Sequence, residues 1–360
     1  MTFLNQIKPN EPTASLGGYL ISFHGKSKFG KTTFAIKLIK EAYNGDLSKA
    51  VLLGCEIGYR AQKGVYAIPI SDFKESDKQL DEDGNEIIDE NTTYGFIETV
   101  DELIENKKDI TFEFVVIDTI TALEKYAKKD VIHARRIADG KPYRKIGDIP
   151  YGVGYEEVAD AIYEQIDRLQ KAGFGVMVIG HSKSKKIKNK SGFEYDYEDL
   201  NTLGKVTEVI ERESDFLIYG DLQVVKKGVD GVKEERVLRL RSDGNVLCGT
   251  RFEEFPDTLP LDAKAFLEEF EKAVLGLYDG DEKAVEERKD KEEEHRKEVS
   301  SNPEVTASSL IEQIDKKIKN LSKSDKIEVA KGFKEILGDA NFKKSEDKKA
   351  LAKALAFVSK

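Results

Sequence analysis

The sequence predicts an α/β fold with a mostly parallel central sheet flanked by helices, followed by a small C-terminal helical bundle. Three observations predict it. Short β-prone runs alternate with helical runs over most of the chain; one strand–helix junction carries a complete phosphate-loop pattern; and past Pro303 the apolar spacing becomes wholly helical.

The first strand is Tyr19-Leu20-Ile21-Ser22-Phe23, apolar and β-prone. It feeds Gly25-Lys26-Ser27-Lys28-Phe29-Gly30-Lys31-Thr32-Thr33, a full match to G-x-x-x-x-G-K-[ST]. Beyond it, Phe34, Ala35, Leu38, Ile39 and Ala42 recur at helical spacing, and Gly45 marks the helix end. Glycines let backbone N–H groups close around a polyphosphate, and the helix N-terminus is aimed at it. Lys31 supplies a cation to the β- and γ-phosphates and Thr32 a hydroxyl ligand for Mg²⁺, so ATP and Mg²⁺ are the expected ligands.

The remaining elements follow in order. Ala50 to Cys55 reads as a second strand ending in Glu56, and residues 71 to 95 as a polar hairpin or insertion turning at Asp83-Gly84. A helix from about Tyr94 to Asn106 leads to a third strand, Phe112 to Asp118. A helical stretch from Gly154 to Ala172 leads to a fourth, Gly175 to His181. Asp215 to Tyr219 is a fifth, followed by a hairpin turning at Asp230-Gly231 with Val237 to Arg241 as its return strand.

Composition narrows the class. The chain has 360 residues, enough for one large domain and a small one, and a net charge of −10, so any nucleic-acid contact needs a local basic patch. Cys55 and Cys248 form neither a metal spacing nor a disulfide framework, and His24, His133, His181 and His295 are scattered. With no long apolar run and no basic, apolar leader at its start, the chain reads as soluble and cytoplasmic, with no membrane partner.

Asp118 ends an apolar strand, where a carboxylate beside the phosphate loop can hold magnesium. The next residue is Thr119 rather than glutamate, so a water-activating carboxylate has to come from elsewhere. Glu56, at the same sheet edge, is the candidate. A guanine-reading N-K-x-D pattern does not occur; Asn189-Lys190-Ser191-Gly192 ends in glycine.

GKSKFGKTT, VLLGCE and VVIDTITAL together resemble the core of RecA-type ATPases, over roughly residues 18 to 256. A histidine closing VMVIGH and the later LRLRSDGNVLCGTRFEEFP resemble compact bacteriophage ATPases of single-strand annealing and recombination. The resemblance implies a RecA-like core with Lys31, Glu56, Asp118 and His181 as catalytic residues: Glu56 as base, Asp118 on magnesium, His181 as γ-phosphate sensor. It also implies a homo-oligomer, ring or filament, on single-stranded DNA in a host cytoplasm.

In that family the loop after the sensor strand faces DNA. Here it holds Lys183, Lys185, Lys186, Lys188 and Lys190, a run that could neutralise several phosphates, with Phe193, Tyr195 and Tyr197 nearby for stacking. Glu194, Asp196, Glu198 and Asp199 interleave, and a solvated loop is the alternative. Arg239, Arg241 and Arg251 are candidates for a finger reaching a neighbour's triphosphate; alternate spacing puts the first two on one strand face.

The expected domains are a core over 1–278, a charged helical linker over 279–303 and a helical domain over 304–360. Asp262 is expected to cap a helix carrying Phe266, Leu267, Phe270 and Val274. The last domain is a candidate contact for a single-strand-binding or other replication protein. The functional alternative to DNA annealing is a nucleotide-dependent switch acting on a protein partner.

Overall fold

The computed structural model describes residues 11–74, 92–188, 190–226, 232–300 and scattered positions from 311 to 357. The turns expected at Asp83-Gly84 and Asp230-Gly231 lie outside these residues. Contacts divide the chain into two units, one of residues 1–100 and 107–301 and one of residues 101–106 and 302–360.

In chain order the first unit runs β1 (Leu20–Gly25), α1 (Lys31–Ala42), β2 (Ala50–Gly54), β3 (Ala67–Asp72), β4 (Tyr94–Gly95) and the start of α2 (Phe96–Glu105). It continues with β5 (Phe114–Asp118), α3 (Ile120–Asp139), α4 (Val153–Lys171), β6 (Gly175–Lys188), β7 (Glu194–Leu200), α5 (Gly204–Glu213) and β8 (Phe216–Lys226). It closes with β9 (Val232–Arg239), β10 (Gly249–Thr250), β11 (Thr258–Pro260), α6 (Ala263–Leu277) and α7 (Glu282–Ser300).

The sheet order is β11-β9-β8-β1-β6-β5-β2-β3-β4. Strands β8 through β4 in that order are parallel, whereas β9, β10, β11 and β7 add antiparallel pairs. The expected mostly parallel α/β sheet flanked by helices is therefore the one observed. Every residue of β1, β2 and β5 is buried, which is why their sequences are continuous apolar runs rather than alternating ones.

Alternate residues serve the two faces. Ile21, Phe23, Phe114, Val116, Met177, Ile179, Phe216 and Ile218 pack with Phe34 and Leu38 of α1 and Phe266 and Phe270 of α6. The intervening Leu20, Val115, Ile117, Val176 and Val178 are equally buried, and α3 and α4 pack on β6. Asp262 caps α6 as expected, accepting from Ala265 N at 2.9 Å.

Several expectations need correction. The fourth strand does not stop at His181 but runs on to Lys188 and pairs with β7, which sequence reading placed in a loop. Alternating charge and aromatics over Glu194 to Tyr197 is a two-faced strand pattern that the lysine run masked. The fifth strand extends to Lys226; its return begins at Val232 and ends at Arg239, so Arg241 lies beyond it. Of the helix or tether expected over the charged run after Asp281, the structure has the helix. In the second unit, Ile314, Phe333, Phe342, Leu351 and Ala354 form a buried cluster with Ile311 and Ile318 against it. Among the described residues no helix is long and apolar enough to cross a membrane.

Candidate nucleotide site

Strand register brings the sequence-predicted residues to one edge of the sheet. Gly25 at the end of β1 is level with His181 on one side and Gly220 on the other, and Asp118 is level with Gly54 and Ile179. Two residues past Gly54, Glu56 N donates to Asp118 O at 3.0 Å, tying the base candidate to the magnesium candidate through the backbone. One edge thus collects the ends of β1, β2 and β5, and β6 where His181 passes it.

The loop from Gly25 to Gly30 turns into α1 through Gly30, whose φ of 110° excludes a side chain without strain. Among the described residues no side chain caps α1, so its first N–H groups face the loop. Phe29 anchors the loop: its ring packs edge-on to Phe23 at 6.2 Å, and a Cβ at Gly220 would fall 2.5 Å from it. Lys31 Nζ donates to Gly25 O and Lys26 O, both at 2.9 Å. Burial pushes the Lys31 ammonium below its ordinary pKa, against the pull of Asp118 and Glu56. Among the described residues the hydrogen bonds of this buried cation go to neutral carbonyls, which suits an anionic ligand.

Thr32 Oγ1 donates to Asp118 Oδ2 at 2.7 Å, so hydroxyl and carboxylate stand side by side at the loop exit. Asp118 is 3% exposed, and burial raises its pKa, opposed by the Thr32 hydrogen bond. A buried carboxylate paired with a hydroxyl is a hard oxygen donor set, which fits Mg²⁺. When bound there, Mg²⁺ would neutralise charge on the phosphate oxygens. Gly58 closes over this pair, its Cβ position 3.7 Å from Thr32 Oγ1 and 3.8 Å from Asp118 Oδ2.

Glu56 sits beside them, held by two side chains. Thr119 Oγ1 donates to Glu56 Oε1 at 3.0 Å, and His181 Nε2 lies 3.2 Å from each carboxylate oxygen. The imidazole hydrogen bond is the largest influence keeping the Glu56 carboxyl below its ordinary pKa. The other imidazole nitrogen, Nδ1, is 3.2 Å from Ser27 Oγ in the phosphate loop, and His181 N donates to Thr121 Oγ1 at 3.1 Å. The arrangement can hold a triphosphate and keep an ionised carboxylate beside its terminal phosphate.

The structure thus joins Lys31, Thr32, Glu56, Asp118 and His181 with the loop from Gly25 to Thr33. The other candidates lie apart from this cluster. Lys183 Nζ donates to Thr202 O at 2.6 Å, Lys185 pairs with Asp199 at 2.6 Å and Lys188 with Glu194 at 3.0 Å, while Lys186 and Lys190 are exposed. Arg239 pairs with Asp243 at 2.8 Å and Asp221 at 3.4 Å, Arg241 with Asp257 at 3.1 Å, and Arg251 with Asp215 at 3.0 Å. A role for these arginines in a neighbouring site would require exchanging those partners. Sequence reading missed the holding roles of Thr119 and Ser27; a hydroxyl directly after the strand aspartate was the available signal.

A family model described as an AAA domain matches residues 18–252. Among solved structures, the crystal structure of a KaiC-like protein from the hyperthermophilic archaeon Pyrococcus horikoshii OT3 is similar at 13% identity, covering 69% of this chain and 88% of that one, with a TM-score of 0.35. Comparison with curated proteins gives no match.

Proposed function

This chain belongs to the AAA domain family, and from that premise we propose that it binds and hydrolyses ATP with Mg²⁺, assembles as a homo-oligomer on single-stranded DNA, and promotes annealing or homologous recombination. The observation that carries the hydrolytic reading is the Glu56 carboxylate, fixed by His181 and Thr119 beside the Thr32–Asp118 pair. In this reading Glu56 takes the proton from a water attacking the γ-phosphate, while Lys31 and the loop N–H groups hold the phosphates.

Support for a DNA-directed output comes from β6. His181 and Lys188 lie on one continuous strand, which places the basic hairpin of β6 and β7 directly downstream of the residue proposed to meet the γ-phosphate. A specific observation favours a second reading, a switch acting on a protein partner: Lys185 and Lys188 are already paired with carboxylates, which lowers the hairpin's net positive charge. In either case the second unit is the proposed contact for a partner protein.

The test is phosphate release from ATP across a titration of single-stranded DNA at low and moderate salt. The DNA reading predicts stimulation that weakens as salt rises. An unchanged rate together with no DNA binding would transfer the output to a protein partner.

A further inference from the structure

The two flanks of the phosphate loop are chemically different. On one side of β1 lie β6, β5 and β2, which carry His181, Asp118 and the approach to Glu56; on the other lie β8 and β9. If Glu56 is the base, the γ-phosphate is on the first flank, and the nucleoside end of the same molecule leads away toward the second. The residues there are Arg236 and Leu261. Arg236 Nη1 is 3.7 Å and Leu261 Cδ2 3.6 Å from the Cβ position of Gly30, the residue that opens α1. The Arg236 guanidinium lies over the Phe29 ring, 5.9 Å from its centroid, and Leu261 N donates to Arg236 O at 3.1 Å, fixing the two residues together.

Arg236 differs from the arginines that sequence reading selected. Arg239, Arg241 and Arg251 are each paired with a carboxylate. Arg236 is exposed and its guanidinium pairs with no carboxylate among the described residues. A guanidinium resting on an aromatic face keeps its planar donors directed outward, which suits bidentate contact with phosphate oxygens. Leu261 beside it offers apolar surface to a base or ribose.

We infer that Arg236, with Leu261, forms the nucleoside-end subsite of the chain's own phosphate loop, Arg236 donating to the α-phosphate of the bound nucleotide. This rests on the nucleotide-binding reading above. It makes Arg236 a nucleotide-binding residue acting within one protomer, common to ATP and ADP, and separates it from any group that senses the γ-phosphate in a neighbour.

The experiment is calorimetric titration of the full chain, Arg236→Ala and Arg236→Lys with ATP and with ADP in magnesium. The inference predicts that Arg236→Ala weakens both nucleotides alike, by about tenfold or more, as expected for a lost charged hydrogen bond, and that Arg236→Lys recovers part of the loss for both. Affinities unchanged in Arg236→Ala, or a loss confined to ATP, would overturn the subsite while leaving the phosphate loop's role intact. Failure of the unmodified chain to bind either nucleotide would overturn the nucleotide reading and this assignment with it.

Discussion

His181 Nε2 stands 3.2 Å from both carboxylate oxygens of Glu56 while its Nδ1 stands 3.2 Å from Ser27 Oγ. An ionised carboxylate can only accept, so Nε2 carries a proton and donates to Glu56, while Nδ1 shares a hydrogen bond with the Ser27 hydroxyl, which can donate or accept. The imidazole therefore links the phosphate loop to the Glu56 carboxylate.

One consequence is pH dependence. The Glu56 carboxyl is held below its ordinary pKa, first by the His181 hydrogen bond and further by Thr119. A depressed carboxylate contributes stability above its unfolded pKa, and that contribution is lost as pH falls through the lower folded value. The carboxylate proposed as base stays ionised over the same range. His181→Ala should move the acid limb of kcat/KM to higher pH, and His181→Gln, which keeps a donor, should move it less. An acid limb unmoved by His181→Ala would remove the histidine's hold on the base.

Magnesium should act through Thr32 and Asp118, whose oxygens are 2.7 Å apart. In ATP titrations with and without MgCl₂, Asp118→Asn should abolish most of the magnesium-dependent gain, about tenfold in affinity for one lost charged ligand. Lys31→Ala should lose triphosphate binding in both conditions. A full magnesium effect in Asp118→Asn would place the ion elsewhere.

Gly220 tests the loop's anchor. A methyl there would fall 2.5 Å from the Phe29 ring, and Gly25 O is on the neighbouring strand position. Gly220→Ala should cost about 1–3 kcal/mol of stability through overpacking, and should weaken ATP binding because Phe29 carries the loop. Unaltered melting and affinity would mean that Phe29 moves freely.

The basic hairpin gives a graded expectation. Lys186 is exposed opposite Asp196 on β7, whereas Lys185 is bonded to the buried Asp199 at 2.6 Å. Lys186→Glu should lower single-strand affinity and reduce the salt slope by about one, with stability unchanged; Lys185→Glu should lower stability as well, since it strands a buried carboxylate. Equal DNA affinity in Lys186→Glu would argue for the protein-directed reading.

The phosphate loop, Asp118 and the buried strands were legible because their chemistry is local: an eight-residue pattern and continuous apolar runs read directly as loop and strand. Glu56 and His181 could be placed at the sheet edge, since strand ends of a parallel sheet converge there. Their contact could not, because residues 125 positions apart meet only through the β2–β5–β6 register. Arg236 was invisible for the same reason. Its proximity to Gly30 depends on the antiparallel pairing of β9 with β8, and nothing in Glu234-Glu235-Arg236 marks one arginine among several. The lysine run misled because basic composition reads as loop, whereas pairing with β7 fixed it as strand.

The central claim is that Glu56 activates water for hydrolysis at the phosphate loop. It is tested most directly by phosphate release from saturating ATP and Mg²⁺ by the unmodified chain and by Glu56→Gln, with ATP binding measured on both. The account predicts retained binding and a rate lower by roughly two or more orders of magnitude. A normal rate in Glu56→Gln would contradict it and leave the base unassigned.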